Sequence, residues 1–198
     1  MMTLYHSPNS RSSAIVTLIE ELGADVEVKE VTVRRQDGSG GPDASNPHPE
    51  KKVPYLVDGA EGIRERGAIM LYLTDKFPEA GLGPIEGQPG RGEYLSWLFY
   101  YQGVMEPVII LKFAQFTHPA VEASLRDFDT MVARLAETLE KQPYLLGETY
   151  SAVDLLCSGP FLWLPDMLPD NEAIRDWVKR CSERPATVRT LERERQAA

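Results

Sequence analysis

The residues best placed to do chemistry in this chain of 198 residues are hydroxyls rather than thiols. Asn9, Ser10 and Ser12 stand just ahead of Ile15, Leu18, Ile19 and Leu22, an apolar set that recurs at the helical period. They therefore sit at the mouth of the first predicted helix. Ser10 or Ser12 can cap its free N–H groups there, and a hydroxyl beside the positive end of a helix is also suited to stabilising an anion. Two lysines, Lys51 and Lys52, precede Val53-Pro54, and the pair Glu65-Arg66 opens a second helical pattern. A helix start with unpaired N–H groups is a natural carboxylate site. Ser151-x-x-Asp154 is different in kind: it reads as an N-capping box that starts a core helix and supports folding.

Other chemistries are missing. The glycines at 38, 40 and 41 are not followed by Gly-Lys-Ser/Thr, and no G-x-G-x-x-G follows the first strand, which excludes a phosphate loop and disfavours a dinucleotide site. His6, His48 and His118 are scattered and near no cysteine, so no metal site is expected. There is no G-x-S-x-G elbow, and no C-x-x-C at the first helix, which rules out dithiol exchange. Cys157 and Cys181 fall on apolar helix positions and read as buried hydrophobes.

The elements that position these residues come in two kinds. Up to residue 77 strand and helix patterns alternate. A short strand at Leu4-Tyr5 is broken at Pro8-Asn9, the first helix ends at Gly23, and a strand runs from Val26 towards Val33 with its alternation slipping between 28 and 31. Residues 36–50 form a long loop, followed by a hairpin around Asp58-Gly59 and a helix through Ala68, Ile69, Tyr72 and Leu73. Residues 78–90 have linker composition. From 91 to 198 everything reads helical. One long helix carries Trp97, Leu98, Tyr101, Met105 and Val108 with a kink expected at Pro107, and another runs unbroken from Val121 to Leu139. Three more lie at 151–164, at 171–182 and from Pro185. The order is βαβ-ββα, a linker, then an all-helical domain.

The composition fits a soluble globular protein, with 42% hydrophobic and 26% charged residues and a formal net charge of -9. That field repels nucleic acid and anionic membranes. No apolar run approaches the ~20 residues of a bilayer helix. The opening residues lack the pattern of a signal peptide, and two cysteines are too few for a disulfide scaffold, so a cytoplasmic location is expected.

Four stretches, taken in order and spacing, carry a resemblance. They are Tyr5-His6-Ser7-Pro8-Asn9-Ser10-Arg11-Ser12, His48-Pro49-Glu50-Lys51-Lys52-Val53-Pro54, Ile63-Arg64-Glu65-Arg66-Gly67-Ala68-Ile69 and Ser151-Ala152-Val153-Asp154. Together they resemble the glutathione transferase superfamily across nearly the whole chain, in a serine-like, bacterial-type class. The resemblance implies a thioredoxin-like α/β N-terminal domain (1–77), an all-α C-terminal domain (91–198), glutathione as co-substrate without a metal, and a homodimer. Sequence alone favours a trans Val53-Pro54 bond, since only ~5–6% of X-Pro bonds in folded proteins are cis; the resemblance implies cis. Val53 would then pair through its backbone with the cysteinyl part of glutathione, and Lys51 or Lys52 would meet the glycine carboxylate.

Glu65 matches the family's acidic residue for the γ-glutamyl amine. Arg66 departs from the usual serine, so its guanidinium either grips the glutamyl carboxylate or obstructs the pocket. Ser10 is the expected thiol activator, with Ser12 and Asn9 as rivals. Tyr5 lies too early, inside the first strand. Tyr100, Tyr101, Met105, Phe113 and Phe116 are candidates for the wall of an acceptor pocket between the domains. The expected reaction is conjugation of glutathione thiolate to an apolar electrophile. The alternatives are glutathione-dependent disulfide or peroxide reduction, or a non-catalytic interaction module.

Overall fold

The computed structural model describes residues 1–196, which divide into two compact units: residues 1–80 together with the helix from Pro185, and residues 81–184. The first unit contains β1 (Met2–His6), α1 (Ser13–Leu22), β2 (Val26–Glu30), β3 (Tyr55–Asp58), β4 (Glu61–Ile63) and α2 (Arg66–Lys76). The four strands form one sheet in the order β2-β1-β3-β4. β2 is parallel to β1, whereas β3 is antiparallel to both β1 and β4. Alternate residues of β1 (Met2, Leu4, His6) are buried, as are Leu56 of β3, Ile15 and Leu18 of α1, and Ile69, Met70 and Leu73 of α2. This is the expected thioredoxin-like βαβ-ββα arrangement. The slip in the valine pattern marks the end of β2 at Glu30, after which the Val31 N–H donates to the His6 carbonyl.

The last helix, α9 (Pro185–Gln196), belongs to this unit rather than to the helical one expected to hold all of 91–198. It buries Ala186, Thr187, Thr190 and Glu194, a stripe at helical spacing. Arg189 and Arg193 on the same helix pair with Glu20 of α1. Nothing in the residue pattern distinguishes this helix from its predecessors; its partners do.

The second unit is helical: α3 (Arg91–Tyr100), α4 (Glu106–Phe113), α5 (Pro119–Ser124), α6 (Phe128–Leu139), α7 (Ala152–Trp163) and α8 (Glu172–Ser182). Two expectations change here. The Pro107 kink is replaced by a π-helical stretch at Tyr101–Met105 joining α3 to α4. A proline ring crowds the carbonyl four residues earlier, here Gly103, and a widened turn at that point relieves the clash. The helix expected from 121 to 139 is two helices, because Asp127 caps α6 by accepting the Thr130 N–H at 2.7 Å. The capping box at Ser151 is present. Asp154 Oδ2 accepts both the N–H and the O–H of Ser151 (2.9 and 2.7 Å), and Oδ1 accepts the Leu145 N–H (2.8 Å) and Trp177 Nε1–H (2.9 Å). Burial pushes the Asp154 carboxyl above its ordinary pKa, against the pull of these donors. No helix among the described residues is long and apolar enough to cross a membrane.

Two predictions follow from these buried groups. Asp154→Ala leaves four donors, three of them N–H groups, without their acceptor, at about 1–3 kcal/mol for each buried orphan. The expected loss is at least about 3 kcal/mol, read as a lower urea midpoint with an unchanged slope; a change below 1 kcal/mol contradicts the network. His6 is buried and its pKa is lowered to about 4, first by burial and then by the Arg35 charge. Folding therefore favours neutral His6, and the contribution is complete above the unfolded value of ~6.5. It disappears as pH falls from there through 4, a loss of about 3 kcal/mol. Urea titrations across this range should show that slope in the wild type and a weaker one in His6→Asn.

Candidate active site

Sheet register decides which segments meet. Tyr5 of β1 lies opposite Tyr55 of β3, His6 lies beside Glu30 of β2, and Ile63 of β4 lies opposite Leu56. The chain after β1, the chain after β2, the Val53-Pro54 approach to β3 and the Glu65 step after β4 therefore all leave the sheet at one end. All eight candidate residues of this unit sit there: Asn9, Ser10, Ser12, Lys52, Val53, Pro54, Glu65 and Arg66.

At the start of α1 the hydroxyls form a chain. Ser10 Oγ lies 2.7 Å from Ser12 Oγ, which in turn lies 2.7 Å from His6 Nδ1. The Ser7 N–H donates to Ser12 Oγ at 3.1 Å, and the Ser12 N–H donates to Ser10 Oγ at 3.2 Å. Ser12 has no exposed surface, whereas Ser10 is part-exposed. Backbone bonds fix the turn: Ser13 N–H donates to the Ser10 carbonyl, and the Ile15 and Val16 N–H groups donate to the Ser12 carbonyl. Arg35 clamps the preceding loop by donating to the carbonyls of Pro8 (2.7 Å) and Asn9 (2.9 Å) and to Ser7 Oγ (3.0 Å). The Asn9 amide is committed to the Glu194 carbonyl of α9 at 3.1 Å. The Glu194 carboxyl, buried beside this turn, is pushed above its ordinary pKa by desolvation, with the Ser13 hydroxyl working the other way. Ser10 is thus the hydroxyl of the three candidates with an open side.

The second segment is built around Asn46, which is fully buried. Its Oδ1 accepts the His48 N–H (3.0 Å), its Nδ2 donates to the Lys52 carbonyl (3.0 Å), and its own carbonyl accepts from Lys51 Nζ (2.5 Å). His48 Nδ1 accepts the Glu50 N–H, and its ring packs edge-on against Tyr55 at 5.1 Å. The Val53-Pro54 peptide bond is cis, as the resemblance implied. Pro54 is buried, and the Val53 backbone makes no hydrogen bond among the described residues. Lys51 is tied into the loop; the exposed Lys52 ammonium has no ion-pair partner among the described residues.

At the third segment Glu65 is exposed and stands at the N-cap of α2, and its carbonyl accepts the Ile69 N–H. Arg66 is buried, with 8% of its surface exposed. Asn9, Lys51 and Glu65 are three of four non-glycine residues with positive φ among those described (54°, 55° and 67°). Each such conformation costs on the order of 1–3 kcal/mol and persists where surrounding contacts enforce it; one falls in each of the three segments. Asn46 and Arg35 were not singled out from sequence. Asn46-Pro47 carried a turn signal, but Arg35, distant from the residues it holds, carried none.

Of the residues considered for an acceptor wall, Tyr101 and Met105 are core, Tyr100 is half-buried, and Phe113 and Phe116 are 52% and 53% exposed. Both cysteines are buried in the helical unit, and burial pushes the Cys181 thiol up to about 12.

Comparison with known proteins agrees with this geometry. Residues 1–75 match the family model for the glutathione S-transferase N-terminal domain, and residues 100–185 match the C-terminal one. The disulfide-bond oxidoreductase YfcG of Escherichia coli is 30% identical over 96% of this chain and 94% of its own length. Glutathione S-transferase 3 of Schizosaccharomyces pombe is 26% identical over 94% and 85%. Among solved structures, a sphingomonad glutathione S-transferase complexed with glutathione superposes with a TM-score of 0.77 at 28% identity, covering 97% of this chain and 98% of its own. A glutathione transferase from Methylococcus capsulatus gives 0.79 at 26%, covering 99% and 100%. Register, segment order and full-length similarity lead to one assignment: the chain belongs to the glutathione S-transferase family.

Proposed function

We propose that this protein binds glutathione at the described end of the sheet and uses its thiolate as the nucleophile. The observation that carries the reading is the Val53 backbone, unpaired among the described residues, whose N–H and C=O can receive the cysteinyl part of the tripeptide as an added strand. The solved sphingomonad relative that contains glutathione supports the choice of ligand. Around that contact the exposed Glu65 carboxylate suits the γ-glutamyl ammonium, and the first N–H groups of α2, including that of Arg66, suit the glutamyl carboxylate. Lys52 suits the glycine carboxylate.

Ser10 then faces the sulfur. Free glutathione thiol titrates near ~8.5, which leaves only a few per cent as thiolate at neutral pH. Lowering it by two units takes about 2.7 kcal/mol of preference for the anion. A hydroxyl donated to a charged acceptor supplies about 1.5–3 kcal/mol, and the start of α1 adds about 0.3–1 kcal/mol. The two together give about 1.8–4 kcal/mol, a range that brackets the requirement. Neither protein cysteine takes part, since both are buried in the other unit. The preferred acceptor is a small apolar electrophile. The working form is a cytoplasmic homodimer. A second reading, reduction of disulfides by bound glutathione, is favoured by the 30% identity to a disulfide-bond oxidoreductase.

Calorimetry with glutathione should give one site per chain, weakened about tenfold by Glu65→Gln and several-fold by Lys52→Ala. Ser10→Ala should leave that affinity within threefold and lower kcat/KM for 1-chloro-2,4-dinitrobenzene by about 10–100-fold. No heat of binding would contradict the ligand and favour an interaction module. Turnover of hydroxyethyl disulfide without conjugation would establish the second reading instead.

A further inference from the structure

The hydroxyl chain at the start of α1 has a direction, and its direction decides what Ser10 can do. Ser12 Oγ has one proton and two lone pairs. The Ser7 N–H takes one lone pair. One proton and one lone pair then remain for two contacts of 2.7 Å, to His6 Nδ1 and to Ser10 Oγ, so Ser12 donates to one and accepts from the other. A weaker alternative acceptor, the Ser7 carbonyl, lies at 3.3 Å. In one arrangement Ser10 donates to Ser12 and Ser12 to His6, which spends the Ser10 proton inward. In the other, His6 Nδ1–H donates to Ser12 Oγ and Ser12 O–H donates to Ser10 Oγ. Ser10 Oγ, which also accepts the Ser12 N–H, then has both lone pairs filled and its proton free to point outward.

We propose that His6 is a positioning residue for thiolate formation: in its Nδ1–H tautomer it orders the His6–Ser12–Ser10 chain so that the Ser10 hydroxyl donates to the bound sulfur. This rests on the proposed function, with glutathione sulfur facing Ser10. No proton is transferred to His6. The imidazole stays neutral, and its tautomer selects between two hydrogen-bond directions that cost the interior the same number of contacts. Burial, aided by the Arg35 charge, keeps the ring neutral across the working pH range, so the chain is set by tautomer rather than by titration. The ring is held at the end of β1 with 6% of its surface exposed, and its Nδ1 lies 2.7 Å from Ser12 Oγ.

Two measurements test this. In the wild type with saturating glutathione, 15N NMR of histidine-labelled protein should show His6 protonated at Nδ1 and not at Nε2, its signals identified by their loss in His6→Asn. An Nε2–H tautomer in the bound state overturns the proposal. Thiolate absorbance followed against pH should then show the bound thiol pKa raised by about one unit in His6→Leu, with the glutathione Kd within threefold of the wild type. His6→Asn, whose amide N–H can stand in for Nδ1–H, should recover at least half of that shift. If Ser10→Ala raises the thiol pKa but His6→Leu does not, His6 is structural only. If the wild type binds no glutathione, the functional reading itself fails, and that outcome is separate from the tautomer result.

Discussion

One buried hydroxyl, that of Ser12, ties the last residue of β1 to the first turn of α1. It has no solvent to turn to, so its three short contacts, to His6, Ser7 and Ser10, must be arranged as donors and acceptors without remainder. That requirement fixes the turn between strand and helix and leaves Ser10 as the hydroxyl at the rim. The loop geometry before it is enforced independently by Arg35, which closes three hydrogen bonds across some 26 residues of chain. A part-exposed serine on a mobile loop would donate in many directions; here the surroundings leave it two, inward to Ser12 or outward.

The same logic recurs at the second segment. Asn46 holds a loop that has no regular structure by satisfying its backbone with one buried amide, and so brings Val53 to the sheet with its polar backbone groups uncommitted. Strained backbone at Asn9, Lys51 and Glu65 falls in the three segments that converge at one end of the sheet. The strain is affordable because each segment is over-determined by contacts elsewhere. In the helical unit a comparable hold comes from Asp154 and the four donors whose bonds it accepts.

Much of this was legible in the residues, and the reasons differ by element. The βαβ-ββα order could be read because its periods are short and its breaks are marked by Gly23, Pro54 and Pro78. The capping box at Ser151 could be read because it is local. The helix expected through residues 121–139 failed because an apolar three-four pattern continues across Leu125, while Asp127 offers the chain a better start one turn later. The assignment of α9 to the sheet unit could not be read, since amphipathic pattern identifies a buried face and not what buries it. At the site, the residue types Ser10, Glu65 and Lys52 were visible, but Arg35, Asn46 and the His6 link depend on contacts between distant segments, for which single-chain spacing holds no signal. Ser12 and Asn9 are rivals to Ser10 in sequence; burial sets Ser12 apart, and the bond to the Glu194 carbonyl sets Asn9 apart.

The central claim is that this end of the sheet makes a bound sulfur more acidic than it is in water. The direct measurement is the ultraviolet thiolate absorbance of glutathione bound to the unmodified protein, followed from pH 5 to pH 9. The account predicts a midpoint near pH 6.5, about two units below that of the free tripeptide. A midpoint at ~8.5, unchanged from solution, would contradict it.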